Sequence, residues 1–447
     1  MPERKPDVVV AGAGIAGLGA ALALQDRGFE VVVLEREAEA GGRMRSAQAW
    51  DGIWFDRGAE HLTTADAFFY LADRLGFADQ VIPWMGDTGG GTSFEIARNG
   101  KLHTFDAARP QRLLGYGAIP FGQKLRLVRL LPTLIAQYRR NGGTTFEPWR
   151  AAPIDDMSIE EWLNRISPDF LEYAMEPLWD IVAGWEPADI SRAFLVYTMT
   201  AFAKAQGITL RQGTGAVTRA FASLLDVRTR SEVDRIDIAD HRVEYTDLET
   251  GSRHTMQPGA VIVALTGDRV AGVVSGLEGP RAEFFAGTRY QAHDLCFFKV
   301  PDGTDPEEIG RSGFLPRLEH GELAQYGMEK VPTDPSRWVL RATLKGRFAT
   351  MLADQPDEVL EAEIMKRVGE VAPHIPPLVE DRFISRWPSA IPMYTVGRLR
   401  QLAAYHALDP IPGVAFAGDY LSMPSAGAAY QTGLWAADQV ASFLGGA

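Results

Sequence analysis

The chain has 447 residues, 46% hydrophobic and 23% charged, which suits a soluble globular protein of about two or three domains. Its 58 acidic and 45 basic residues leave a net charge of −13, which argues against a nucleic-acid partner. No window approaches the roughly 18 consecutive apolar residues of a membrane-spanning helix. Residues 1–7 are short and charged, without the apolar core of a secretory signal, so a cytoplasmic protein is expected. The single cysteine, Cys296, allows no internal disulfide and agrees with a reducing compartment.

The start reads as a βαβ unit: residues 7–10 a strand, 14–27 a helix closed by Gly28, and 30–34 a buried parallel strand. Between strand and helix stands Gly12-Ala13-Gly14-Ile15-Ala16-Gly17. In that pattern Gly12 permits the tight turn, Gly14 lets backbone approach a pyrophosphate, and Gly17 lets the helix pack on the strand. The helix N-terminus then offers amides and a positive dipole end to phosphate. Glu35 closes the second strand, followed by Arg36, and a carboxylate there accepts hydrogen bonds from a ribose diol. Together these features point to a dinucleotide. Gly41-Gly42-Arg43 follows, able to cradle and neutralise a second phosphate region.

Around residues 92–105 two runs flank Asn99-Gly100, a hairpin signal, so an antiparallel element begins there. Residues 122–202 read mostly as helix, with a start signal over 156–162. Within them, 123–140 interleave Lys124, Arg126, Arg129, Arg139 and Arg140 with leucine, valine and isoleucine. Such a stripe either lies on an anionic membrane surface or packs as a core face, the commoner outcome. Pro132 is expected to kink it. Strands follow over 233–247, 259–265 and 290–300, a helix over 356–371, a strand over 383–387, a buried strand over 413–417 and a last helix over 427–444. The nucleotide-type elements lie at the start, middle and end. The expected class is therefore α/β: a Rossmann-type domain from residues 1–85, 203–289 and 386–447, with an inserted α+β substrate domain, mixed sheet plus helices, from 86–202 and 290–385.

Taken in order, these segments resemble the flavin-containing amine oxidase superfamily, which also holds protoporphyrinogen oxidases and carotenoid-type desaturases. Phe55-Asp56-Arg57-Gly58-Ala59-Glu60-His61 is similar to the family stretch that passes the flavin ring. Gln212-Gly213-Thr214-Gly215 and then Glu232-Val233 resemble the segment that brings a valine backbone to the adenine. Ala417-Gly418-Asp419 and the helix opening with Ala426 and Ala429 resemble the C-terminal flavin segment. The resemblance implies FAD, held without a covalent bond because no cysteine stands near that segment.

On the substrate side, Arg386-Trp387-Pro388-Ser389-Ala390-Ile391-Pro392-Met393-Tyr394 is similar to a protoporphyrinogen oxidase stretch, and the resemblance puts Trp387 and Tyr394 beside the ring. Both residues also read as core aromatics. The family lysine near the flavin aligns with His293 or Asp294, and His293 is a substrate-side candidate. A tryptophan–glycine–aromatic element of amine oxidases is missing from Tyr420-Leu421-Ser422-Met423-Pro424-Ser425. The expected activity is removal of two electrons from a C–C or C–N bond of a largely apolar substrate, protoporphyrinogen oxidase- or desaturase-like, with oxygen or a quinone as acceptor. An amine oxidase and a non-catalytic FAD-binding protein are the alternatives. The histidines show no metal-binding spacing, so no metal is expected, and peripheral membrane contact stays open.

Overall fold

A computed structural model describes residues 6–60, 62–84, 93–106, 109–201, 206–310 and 313–445. Val8–Ala11 and Val31–Leu34 are four-residue strands, each with three valines, buried on both faces, and they pair in parallel with Val8 opposite Val31. Ala260–Val263 and Val414–Phe416 extend the sheet on one side, and Asp226–Arg228 extends it on the other. All five strands are parallel, and they come from the start, middle and end of the chain.

The first helix, Ile15–Gln25, and the last, Ala426–Leu444, cross on this sheet at close range. A Cβ at Gly433 would lie 2.2 Å from the Ala16 carbonyl oxygen, and one at Gly19 would lie 2.5 Å from the Tyr430 ring. Small residues let these two backbones touch.

The second sheet has seven strands. Its order is Asp381–Pro392, Tyr290–Lys299, Asp334–Leu344, Leu323–Val331, Gly313–Phe314, Ser93–Arg98, Lys101–Asp106. The expected hairpin turn is present, with Asn99 at φ 51° and Gly100 at φ 70°. One face packs Cys296, Phe298, Leu340 and Ala342 on the helix Asp357–Val371. The other face turns Leu295, Phe297 and Val339 towards Phe55. The strand Asp381–Pro392 runs unbroken through residue 386, where the sequence reading sets a domain boundary.

Residues 121–201 are helical apart from short turns, and Ser158 accepts a hydrogen bond from the Glu161 N–H at 3.1 Å to cap the helix Ile159–Asn164. The helix expected over 123–140 is a correction. It consists of Phe121–Arg126, a 3-10 turn Leu127–Leu130, and Leu131–Asn141. Pro132 sits in the first turn of the last piece, where its missing N–H costs nothing, instead of kinking one long helix. Among the described residues, no helix is long and apolar enough to cross a membrane.

The helix crossing yields a stability prediction. Gly433→Ala pushes a methyl against the Ala16 carbonyl and is expected to cost about 1–3 kcal/mol. Urea denaturation of the apoprotein reads this, and an unchanged midpoint contradicts the close approach.

Candidate functional site

At the mouth of the parallel sheet the glycines divide the work. Gly12 has φ +104°, and a Cβ there would lie 2.7 Å from the Ala264 carbonyl oxygen. At Gly17 the same atom would fall 2.0 Å from the Gly12 carbonyl oxygen, so the helix rests directly on the turn. Gly14 faces open space, with nothing within 4 Å of its Cβ position. Gly42 closes one side of that space, its Cβ position lying 3.4 Å from the Gly14 Cα. The first helix has no side-chain cap and no acid in its first turn, so its leading amides are left to a ligand.

Glu35 is buried at the end of the second strand. Its Oε2 accepts from the Ala13 N–H at 2.8 Å and its Oε1 from the Glu37 N–H at 2.9 Å, which fixes the carboxylate and leaves each oxygen a lone pair. The Ser231 N–H donates to the Glu35 carbonyl at 2.7 Å, which starts the strand that carries Val233. Pairing there slips between Val233 and Arg235, a bulge that breaks the ladder beside Val233. Arg36 approaches Glu232 at 3.9 Å, while Arg269 bonds the same carboxylate at 2.9 Å.

Arg43 and Asp419 join the two ends of the chain. The guanidinium donates to both carboxylate oxygens, at 2.8 and 2.9 Å, and also to the Ala390 carbonyl. Burial works against the Arg43 charge, yet Asp419, by its charge and its hydrogen bonds, together with Tyr290 and Asp268 holds the group above its ordinary value. Gly58 fits only as glycine, because a Cβ would lie 2.2 Å from the Arg43 carbonyl oxygen. The neighbouring Ala59 N–H donates to that oxygen at 2.9 Å. Gly418 has φ +152° and donates to Thr432 Oγ1 at 2.9 Å, which fixes the turn into Asp419.

The last helix starts at Ala426 with Ala429 buried one turn on, and Ser425 Oγ accepts from the Ala428 N–H at 3.1 Å. Asp66, which sequence reasoning missed, is buried against this helix end, 2.0 Å from a Cβ placed at Gly427. Burial pushes its carboxyl up to about 6, against backbone hydrogen bonds from Thr63 and Gly427.

On the substrate side, Glu60 forms a two-point pair with Arg341 at 2.6 and 3.1 Å, and Arg341 reaches Glu329 at 3.2 Å. Among the described residues, Arg341 Nε and Thr343 Oγ1 find no protein partner. His293 lies close by, and burial and the Arg341 charge drive it down to about 4, so its ring is neutral at ordinary pH. Trp387 stands opposite His293 in the strand pairing, and its indole N–H donates to the Arg57 carbonyl. Arg45 lies over the Trp387 ring at 5.2 Å. Tyr394 is enclosed, stacked on Phe194 at 4.5 Å, with its hydroxyl 2.6 Å from the Ser422 carbonyl and 3.1 Å from that of Asp419. His293 and Trp387 thus share the wall with Arg341, whereas Tyr394 sits behind the Asp419 turn. Sequence reasoning passed over Arg341 and Glu329. The usable signal is strand alternation, since Arg341 and Thr343 interrupt the apolar run Val339, Leu340, Ala342, Leu344 on one face only.

A family model described as flavin containing amine oxidoreductase matches residues 15–441. The chain belongs to that family. Putrescine oxidase of Kocuria rosea is 31% identical over 205 residues, covering 45% of this chain and 39% of the relative. Protoporphyrinogen oxidase 2 of Arabidopsis thaliana is 42% identical over 192 residues, covering 41% and 33%. The chain thus spans well under half the length of these curated relatives. Cyclohexylamine oxidase from Brevibacterium oxydans has the same fold, with a TM-score of 0.73 at 18% identity over 99% of this chain and 100% of that one. Putrescine oxidase bound to putrescine gives 0.73 at 16% identity over 98% and 99%. The family uses FAD. The residues present fit that group, because the space beside Gly14 is open and a helix end without a side-chain cap adjoins it.

Asp56 supplies a test of this frame. Its Oδ1 accepts from Ser46 Oγ at 2.6 Å and the Thr214 N–H at 2.7 Å, and burial pushes the carboxyl up to about 7. A raised folded value means that stability falls as pH rises from about 4 to 7, because the folded state holds the proton longer. Asp56→Asn keeps an acceptor without the charge, so its melting temperature should exceed that of the parent at pH 8 and converge with it near pH 4. Asp56→Ala strands the Thr214 N–H and should cost about 1–3 kcal/mol at both. Equal pH profiles for the parent and Asp56→Asn would remove this account of Asp56.

Proposed function

We propose that the chain is an FAD-dependent oxidoreductase that takes two electrons from a C–C or C–N bond of a largely apolar substrate, holds its FAD without a covalent link and is reoxidised by oxygen. The observation that carries this reading is the open space beside Gly14 at the uncapped end of the first helix, edged by Gly42, with Arg43 next in the chain and paired to Asp419. Amides after Gly14 and the Arg43 guanidinium would hold the phosphates. Glu35 would take the ribose diol and the Val233 backbone the adenine. The start of the last helix near Ala426 and Ala429 would favour negative charge developing at the flavin edge.

Cys296 supports non-covalent attachment, since it is buried on the far face of the second sheet and burial raises its thiol well above the ordinary value. When bound, FAD supplies the electron acceptor that no side chain provides. The protein's part is to orient the donor carbon and exclude water. The neutral His293 ring, Trp387 and Arg341 offer an apolar-edged wall with fixed hydrogen-bond donors for that purpose.

The Arg386–Tyr394 stretch favours a protoporphyrinogen oxidase- or desaturase-like substrate. One observation favours an amine instead: Glu60 and Glu329 share a single buried cation, and the surplus carboxylate suits a substrate bearing an ammonium group. Purified holoprotein assayed against porphyrinogen, polyene and amine panels decides between them. We expect FAD to be released into the supernatant on heat or acid precipitation, flavin bleaching by one panel, and peroxide on admitting air. Flavin retained in the precipitate would refute non-covalent attachment. Bleaching in air without peroxide would refute oxygen as acceptor, and no bleaching by any panel would refute the activity.

A further inference from the structure

Residues 107–146 carry Arg109, Arg112, Lys124, Arg126, Arg129, Arg139 and Arg140 and no aspartate or glutamate, in a chain whose net charge is −13. Within that segment the helix Leu131–Asn141 is turned inside out. Its polar Gln137 and Asn141 are buried, with Gln137 Nε2 donating to Asn141 Oδ1 at 2.7 Å and Asn141 Nδ2 donating to Thr200 Oγ1 at 2.9 Å. Its apolar Leu131, Ile135 and Tyr138 face out, and Phe121, Leu125 and Val128 continue the same line with a spacing of three or four residues. All six side chains are between 49% and 63% exposed. Arg126, Arg129, Arg139 and Arg140 are exposed beside them and make no ion pair among the described residues.

We propose that this face docks on an anionic lipid surface. An apolar stripe flanked by cations is the pattern that inserts its side chains at the headgroup boundary while arginines meet lipid phosphates. A second copy is the poorer occupant, because a two-fold contact would bring the same four arginines against each other. The commoner fate of such a stripe, burial against its own protein, takes Leu127, Leu130 and Leu134 into the core, but beside them Gln137 and Asn141 occupy the inward face and leave Leu131, Ile135 and Tyr138 outside. The docked helix packs on Arg192–Ala201, whose Phe194 stacks on Tyr394 behind Asp419. A lipid-dissolved, apolar substrate would therefore be delivered one helix away from the cofactor site.

Sedimentation of the holoprotein with vesicles tests the proposal. With phosphatidylcholine mixed with phosphatidylglycerol the protein should co-sediment, with phosphatidylcholine alone it should stay largely in solution, and added salt should release it. Val128→Glu with Ile135→Glu should abolish sedimentation while FAD content stays the same. Arg126→Gln with Arg129→Gln leaves the apolar stripe whole and should weaken binding about fivefold per cation removed. No sedimentation with either vesicle overturns the proposal. So does a dimer in gel filtration that Ile135→Glu splits, because a second copy would then cover the face.

Discussion

Arg43 and Asp419 stand 376 positions apart and meet through two hydrogen bonds. The rest of the candidate site is arranged so that they can. A largely buried carboxylate is tolerable only with its cation in place, and removing one partner of such a pair typically costs about 3–5 kcal/mol. Each side is therefore held by other contacts. Gly58 lets the Ala59 N–H reach the Arg43 carbonyl, and Gly418 takes a backbone angle that only glycine adopts at ease. Tyr394 completes the fixing from behind, its hydroxyl meeting the carbonyls on either side of the turn. The pair links the nucleotide-type sheet to the stretch Arg386–Tyr394, because Arg43 also bonds the Ala390 carbonyl.

The second sheet divides its chemistry by face. On one side, aliphatic and aromatic residues pack on the helix Asp357–Val371 and make a dry, rigid support. On the other, Arg341, Glu329, Thr343 and His293 form a polar wall beside Glu60. Strand alternation makes both faces available from one sequence. The support side holds the wall side still, which is what orienting a substrate requires.

Much of the frame was legible. The valine runs, Gly12, Gly17 and Glu35 sit within a few dozen residues of each other, so local spacing fixes their geometry, and the structure shows each glycine making the close approach its place implied. The Asn99-Gly100 turn is local in the same way. The Glu60–Arg341 pair and the seat of Asp66 were not legible, because they depend on which strand and which helix end lie opposite, and no local pattern encodes that register. Residues 123–140 show a further limit. Periodicity identifies an apolar stripe but not which of its residues face in: Leu127 and Leu130 are buried, whereas Gln137 and Asn141 pair inward and leave Leu131, Ile135 and Tyr138 outside.

A double-mutant cycle on FAD binding tests the central claim most directly. Arg43→Met, Asp419→Asn and the double variant would each be titrated with FAD as apoprotein. If the pair grips the cofactor as one unit, each single variant should weaken binding sharply and the double variant should be no worse than the weaker single, leaving a coupling of about 1.4 kcal/mol or more. Additive losses, or affinities equal to that of the parent, would contradict the account.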